Sequence, residues 1–251
     1  MSQGEMSERL SRISTMWSLV QQAHGGAPEA APAAQRELMQ RYCGAVYRYL
    51  LGALRDEEAA TELFQEFALR FVRGDFRCAD PERGRFRDYV KTALIHLVHD
   101  YRREQRRRPA GLPDEVPDPT HAPAQEPDPD LYFLDSWREE LVNQTWDALA
   151  KDNPNLHLVL LVHSREPEIS SSVVASRLAE HWGRRVTANQ VRVSLHRARE
   201  KFARLLVEEV ARSLGDPTEA ELLEELRLLR LAKLCDSALT QRASDRFERK
   251  K

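Results

Sequence analysis

At 251 residues, with 31% charged residues and a formal net charge of −2, the chain is long enough for two compact domains, and its near-neutral total hides a strong segregation of charge. No run approaches the ~20 apolar residues of a bilayer span, and residues 1–18 are polar and charged without the apolar core of a signal peptide, so the expected location is the cytoplasm and no membrane partner is expected. Cys43, Cys78 and Cys235 lie far apart with no Cys-x-x-Cys spacing, which argues against a disulfide framework or a zinc site and for ordinary buried or half-buried thiols; no cofactor and no metal are expected.

Leu, Ala, Arg and Glu dominate, Gly is sparse, and β-branched residues seldom alternate with polar ones, so the propensity sum predicts an all-α protein. Residues 1–34 form an N-terminal extension, with a short amphipathic piece carrying Ile13, Trp17 and Val20, followed by the low-complexity stretch Gly25 to Ala34. A first domain is expected over 35–108. Leu38, Tyr42, Val46 and Tyr49 recur at helical spacing, then Ala60, Leu63, Phe64, Phe67 and Phe71, then Phe86, Val90, Leu94, Leu97 and Tyr101. Three such stripes can bury one shared core. Gly74 and the run Asp80 to Gly84 interrupt the pattern, so Arg73 to Arg85 reads as a loop.

Arg85 to Arg108 is strongly basic, whereas Pro109 to Asp130 holds no Lys or Arg and six carboxylates. Its repeated prolines deny the backbone a helix, so an extended acidic linker is expected over 109–132. A second helical domain follows over 133–212. Trp137 to Leu149 is amphipathic, and Asn153-Pro154 reads as an N-cap with Pro at the first helical position, opening the apolar helix Leu156 to Val162. After the polar break Ser164 to Glu168, Ser170 to Ser172 can cap a helix whose positions Val174, Leu178 and Trp182 face one side, with Gly183 ending it. Thr187-Ala188-Asn189-Gln190 is a capping box for the next helix, where Val191, Leu195, Ala198, Phe202 and Leu205 form the expected buried stripe. The two helices and their short turn have the proportions of a helix-turn-helix. In the C-terminal extension 213–251, one helix is expected from Thr218, capped with Glu221, to about Leu239, with Leu222, Leu226, Leu229 and Cys235 as a stripe that can serve as a docking or self-inhibitory surface or, the expected role, pack on the second domain.

The chemistry points to nucleic acid. Asn189, Gln190, Arg192, His196 and Arg197 cluster at the start of the second helix of the helix-turn-helix, where side chains of these types can bond base edges or phosphates. Arg102, Arg103, Arg106, Arg107 and Arg108 close the third helix of the first domain, enough charge to contact several phosphates. On the same helix Tyr89 is the candidate for stacking an unpaired base, and Phe86 the better core residue. Glu58, Glu62, Gln65, Glu66 and Arg70 give the second helix a mainly acidic polar face, suited to a protein partner. No phosphate-binding Gly-rich loop, nucleophile triad or paired-carboxylate site emerges, and enzymatic activity is not expected.

Three segments together resemble the sigma-70 family of transcription initiation factors, in its extracytoplasmic-function type: Thr61 to Phe67, Phe86 to Asp100 with the Arg run, and Asn189 to Arg199. The resemblance covers about Gln35 to Val207 and implies a protein that carries promoter recognition to core RNA polymerase. It implies that Glu62, Gln65, Glu66 and Arg70 bind core polymerase. Tyr89, Lys91, His96, Arg102, Arg103, Arg106 and Arg107 would serve the minus-ten region and the DNA backbone. Asn189, Gln190, Arg192, Val193, His196 and Arg197 would serve the minus-thirty-five element. The loop Arg73 to Arg85 would shelter a flipped base, and the acidic linker would run through the polymerase interior. Core RNA polymerase and promoter DNA are thus the implied partners, with an anti-sigma or other regulatory protein left open. His96 stands where the family often has Asn, and the turn Gly183 to Val186 is longer than usual. The rival reading is a free-standing helix-turn-helix regulator that never meets polymerase.

Overall fold

The computed structural model describes residues 20, 22–23, 31–73, 85–107, 128–215 and 217–248. Among these there are nine helices and no strand: α1 (Ala31–Leu54), α2 (Glu57–Arg73), α3 (Phe86–Arg107), α4 (Pro129–Asp152), α5 (Pro154–Arg165), α6 (Ser171–Trp182), α7 (Ala188–Leu214), α8 (Glu219–Leu228) and α9 (Ala232–Glu248). No described helix is long and apolar enough to cross a membrane. The chain divides into two units: the first comprises Met1–Glu140 and Leu214–Asp216, and the second Leu141–Ser213 and Pro217–Lys251. Ile13, Trp17, Cys78, Arg108, most of the expected loop after α2 and the expected linker as far as residue 127 lie outside the described residues.

In the first unit the expected stripes of α1, α2 and α3 meet. Leu38, Tyr42, Val46 and Tyr49, Ala60, Leu63, Phe67 and Phe71, and Phe86, Val90, Leu94 and Leu97 are all buried; at ~1.5–3 kcal/mol per large side chain, this shared core is the main source of the unit's stability. Phe64 and Tyr101 are half-buried instead. Phe64 sits at the rim, edge-on to Tyr47 with centroids 5.9 Å apart. α1 starts at Ala31, inside the low-complexity stretch, because Pro32 falls in the first turn, where a missing N–H costs nothing. Asp56 starts α2: its Oδ1 accepts from the backbone N–H groups of Glu58 (2.9 Å) and Ala59 (3.2 Å). The N-terminal extension touches α1, with Val20 and Ala23 buried and Gln35 Nε2 donating to the Ala23 carbonyl at 3.0 Å.

α4 departs from the expected plan. Its helix starts at Pro129, within the stretch expected to be linker, because Asp128-Pro129 acts as Asn153-Pro154 does: Asp128 Oδ1 accepts from Asp130 N–H at 2.9 Å, and Pro129 takes the first helical position. Trp137, expected in the second domain, belongs to the first unit. There Phe133 and Trp137 are fully buried against α1, with Trp137 stacked on Tyr42 at 4.8 Å and Phe133 edge-on to Tyr49 at 5.8 Å.

Two glycines allow this approach. A Cβ on Gly44 would lie 2.0 Å from Glu140 Oε2, and one on Gly52 would lie 1.6 Å from Tyr132 Oη. Between them Arg48 pairs with Glu140, its Nε lies 3.6 Å from Glu139, and its carbonyl accepts from Tyr132 Oη at 3.2 Å. Positions 44, 48 and 52 thus meet 140, 136 and 132 in antiparallel order, one ridge of every fourth residue against another.

The second unit holds the helix-turn-helix. Val159 of α5, Val174, Ala175 and Leu178 of α6 and Val191 of α7 form its buried cluster, while Trp146 packs on Phe202 at 4.9 Å. Leu195 and Leu205, expected in the buried stripe of α7, are half-buried, and Leu206 is fully buried. The caps fall where their residues predict. Asn153 accepts from Leu156 N–H at 3.0 Å, Ser170 from Val173 N–H at 3.4 Å, and Thr187 from Gln190 N–H at 3.2 Å.

Gly183 ends α6 in the left-handed region, φ 61°, with nothing within 4 Å of an added Cβ. Only backbone conformation therefore resists a side chain there, and Gly183→Ala is expected to cost about 1 kcal/mol. Thermal denaturation checks it: an unchanged melting temperature refutes the cost.

The expected C-terminal helix is broken in two, because the chain turns at Leu229 and Arg230, the latter at φ 58°. The break keeps Leu222, Leu226, Leu229 and Cys235 all buried. Burial, then the nearby Asp236 charge, pushes the Cys235 thiol up to about 12 from 9.0. The unfolded thiol loses its proton first as pH rises, so the contribution of Cys235 to stability is present below pH 9.0 and is lost towards pH 12. At neutral pH a thiol reagent is expected to modify half-buried Cys43 well before Cys235, with Cys235 reacting only on unfolding. Mass spectrometry of timed labelling reads the order.

Candidate nucleic-acid interfaces

The four candidate polymerase-binding residues share the face of α2 opposite its core stripe. Glu62, Gln65 and Arg70 are exposed, Glu66 is half-buried and pairs with Arg70 one turn on. Leu69, which sequence reasoning missed, lies on the same stripe at 54% exposure, with Val72 beside it at 57%. Its signal was the spacing: 62, 65, 66 and 69 follow one helical face. The surface joins exposed Leu69 and Val72 to the acids Glu62 and Glu66 on one side and to Arg70 and Arg73 on the other, a mixed apolar and charged composition suited to a protein partner.

α3 divides the predicted minus-ten set in two. Tyr89, His96, Arg103, Arg106 and Arg107 lie along its outer face together with Thr92 and His99; Tyr89 is half-buried and the rest exposed. Arg103 pairs with Asp100 at 2.9 Å. Lys91 and Arg102 point the other way. Lys91 Nζ lies 3.0 Å from Asp130 Oδ1 at the start of α4, and Arg102 Nη2 donates to the Ala53 carbonyl at 2.9 Å, satisfying an end carbonyl of α1. Three arginines and two histidines therefore remain on one open face, with Tyr89 at its N-terminal end, stacked on Phe86 at 6.3 Å. Such a face can track phosphates and stack a base.

The recognition-helix candidates Asn189, Gln190, Arg192, Val193, His196 and Arg197 are all exposed, on the first turns of α7. Gln190 is already engaged: its Oε1 accepts from Thr187 N–H at 2.9 Å and from the Thr187 hydroxyl at 3.2 Å. His196 Nε2 lies 3.2 Å from Glu200 Oε1. Arg199 is held against His163 Nε2 at 2.7 Å, and Arg184 lies over the Trp182 ring at 5.1 Å in the turn before α7. Arg192 and Arg197 are thus the exposed cations among the candidate residues of this face.

Residues 38–108 match the family model for sigma-70 region 2. No curated protein and no solved structure matches the chain. The matched span holds both candidate faces of the first unit, that of α2 and that of α3, while α7 lies beyond it. Over residues 38–108 the chain is thus similar to sigma-70 region 2, a likeness that supports a sigma-factor role in promoter recognition and transcription initiation.

Proposed function

We propose that the chain is an extracytoplasmic-function-type sigma factor that binds core RNA polymerase through the α2 face, captures and helps open the minus-ten region with the outer face of α3, and reads minus-thirty-five duplex with the first turns of α7. The observation that carries this reading is the pair of unlike faces within the span similar to region 2: on α2 the acids Glu62 and Glu66 running into exposed Leu69 and Val72, and on α3 a basic-aromatic stripe. A DNA-binding protein with no polymerase partner has no use for the first. The helix-turn-helix of the second unit supports the duplex-reading step, since its capping box fixes where α7 begins and so which side chains lead.

The test is co-purification of the full chain with core polymerase, followed by transcription from a genomic promoter library. The wild-type chain should bind core and start at discrete promoters, and Glu62→Ala, Gln65→Ala and Glu66→Ala combined should reduce core binding at least tenfold without altering the fold. If the chain instead binds a specific duplex alone and the triple substitution changes nothing, it is a free-standing helix-turn-helix regulator.

A further inference from the structure

The start of α3 is held by a continuous line of rings that begins outside the matched region 2. Trp137 of α4 stacks on Tyr42 of α1 at 4.8 Å and 13° between planes. Tyr42 meets Phe86, the first residue of α3, edge-on at 5.4 Å. Phe86 in turn stacks on Tyr89 at 6.3 Å and 16°. The first three rings are at most 3% exposed, and Tyr89, the fourth, is half-exposed. Buried rings packed at these distances have little room to rotate, so the position of the last ring depends on the first.

A second attachment reinforces the same end of α3. Asp130, in the first turn of α4, pairs with Lys91, two residues beyond Tyr89. The antiparallel ridge of Gly44, Arg48 and Gly52 then fixes the register of α4 on α1, so neither Trp137 nor Asp130 can slide along it.

We propose that Trp137 is a positioning residue for single-stranded DNA capture: through Tyr42 and Phe86 it sets the ring of Tyr89 in the plane that an unpaired base stacks on, which makes the first half of α4 a working part of the minus-ten reader. The inference rests on the role given to Tyr89 above. The chemistry of the ligand is that of a π-face with a phosphate on either side, as any unpaired nucleotide offers.

The experiment uses the full chain assembled with core polymerase and a fluorescent promoter fragment whose minus-ten region is pre-melted. Tyr89→Ala should weaken binding about tenfold, the loss of one base–aromatic stack. Trp137→Leu should weaken it to a similar degree while leaving core binding unchanged, and the double variant should be no weaker than Tyr89→Ala alone, as expected for residues acting through one ring. Trp137→Phe, which keeps a ring against Tyr42, should stay within about threefold of wild type, and it carries the test if Trp137→Leu does not fold.

Additive losses, wild-type binding by a folded Trp137→Leu, or a Trp137→Phe as weak as Tyr89→Ala would each overturn the positioning role while leaving the base-stacking role intact. A silent Tyr89→Ala would remove both. Failure of the wild-type chain to bind core overturns the sigma-factor reading itself, and the positioning role with it.

Discussion

Gly52→Ala is expected to destabilise the first unit by about 2 kcal/mol, although a Gly to Ala change inside a helix ordinarily stabilises by up to about 1 kcal/mol. The sign reverses because the new methyl would sit 1.6 Å from Tyr132 Oη, 2.1 Å from its Cζ and 2.6 Å from its Cε1. Shortening Tyr132 by its hydroxyl alone would relieve only the first of these. The whole ring must swing out, which breaks its bond to the Arg48 carbonyl and exposes ring surface, together about 3 kcal/mol against the propensity gain. Thermal unfolding of the full chain measures the difference. Adding Gly52→Ala to Tyr132→Ala should cost nothing further, since the obstacle is already gone, and should even recover the propensity gain. A Gly52→Ala chain that melts higher than wild type would show that α4 does not lie this close to α1.

How much of this was legible follows from what each feature depends on. The core stripes of α1, α2 and α3 could be read because an apolar side chain every three or four residues is a local pattern. The caps at Asn153, Ser170, Thr187 and Thr218 could be read for the same reason, each being complete within four residues. The start of α4 was hidden because the prolines of the acidic stretch all speak against helix, while Pro129 after Asp128 begins one.

Its docking on α1 was hidden for another reason. Gly44 and Gly52 are eight residues apart on one face, and Tyr132, Phe133 and Trp137 are apolar rings in a charged helix, but nothing local says that these two groups belong together. The division of the α3 cations was equally non-local. Arg102 and Arg103 are neighbours of the same type, and only the end of α1 decides that one satisfies a carbonyl while the other stays open. The break at Leu229 and Arg230 shows a further limit, since Arg adopts φ 58° there without the Gly that would have signalled it.

The two DNA-binding roles proposed for α7 and α3 differ in the salt and sequence dependence they predict. If α7 reads DNA as proposed, Arg192→Ala is expected to cost about 1–3 kcal/mol on the preferred minus-thirty-five duplex and little on a scrambled one, because an exposed arginine in the first two turns of such a helix can bond a guanine edge at two points. Equal losses on both duplexes would assign Arg192 to phosphate instead. Replacing Arg103, Arg106 and Arg107 with Gln should behave in the opposite way, lowering affinity for every sequence and flattening the salt dependence by roughly 0.7–0.9 for each phosphate left without its cation. Arg102→Gln should leave that slope nearly unchanged and lower the melting temperature, since its guanidinium bonds the Ala53 carbonyl. The four arginines lie within six residues, so a difference between Arg102 and its neighbours can arise only from the way α3 is packed. If Arg102→Gln reduces the salt slope as much as Arg103→Gln, its side chain leaves α1 when DNA binds, and the basic run acts as one undivided patch.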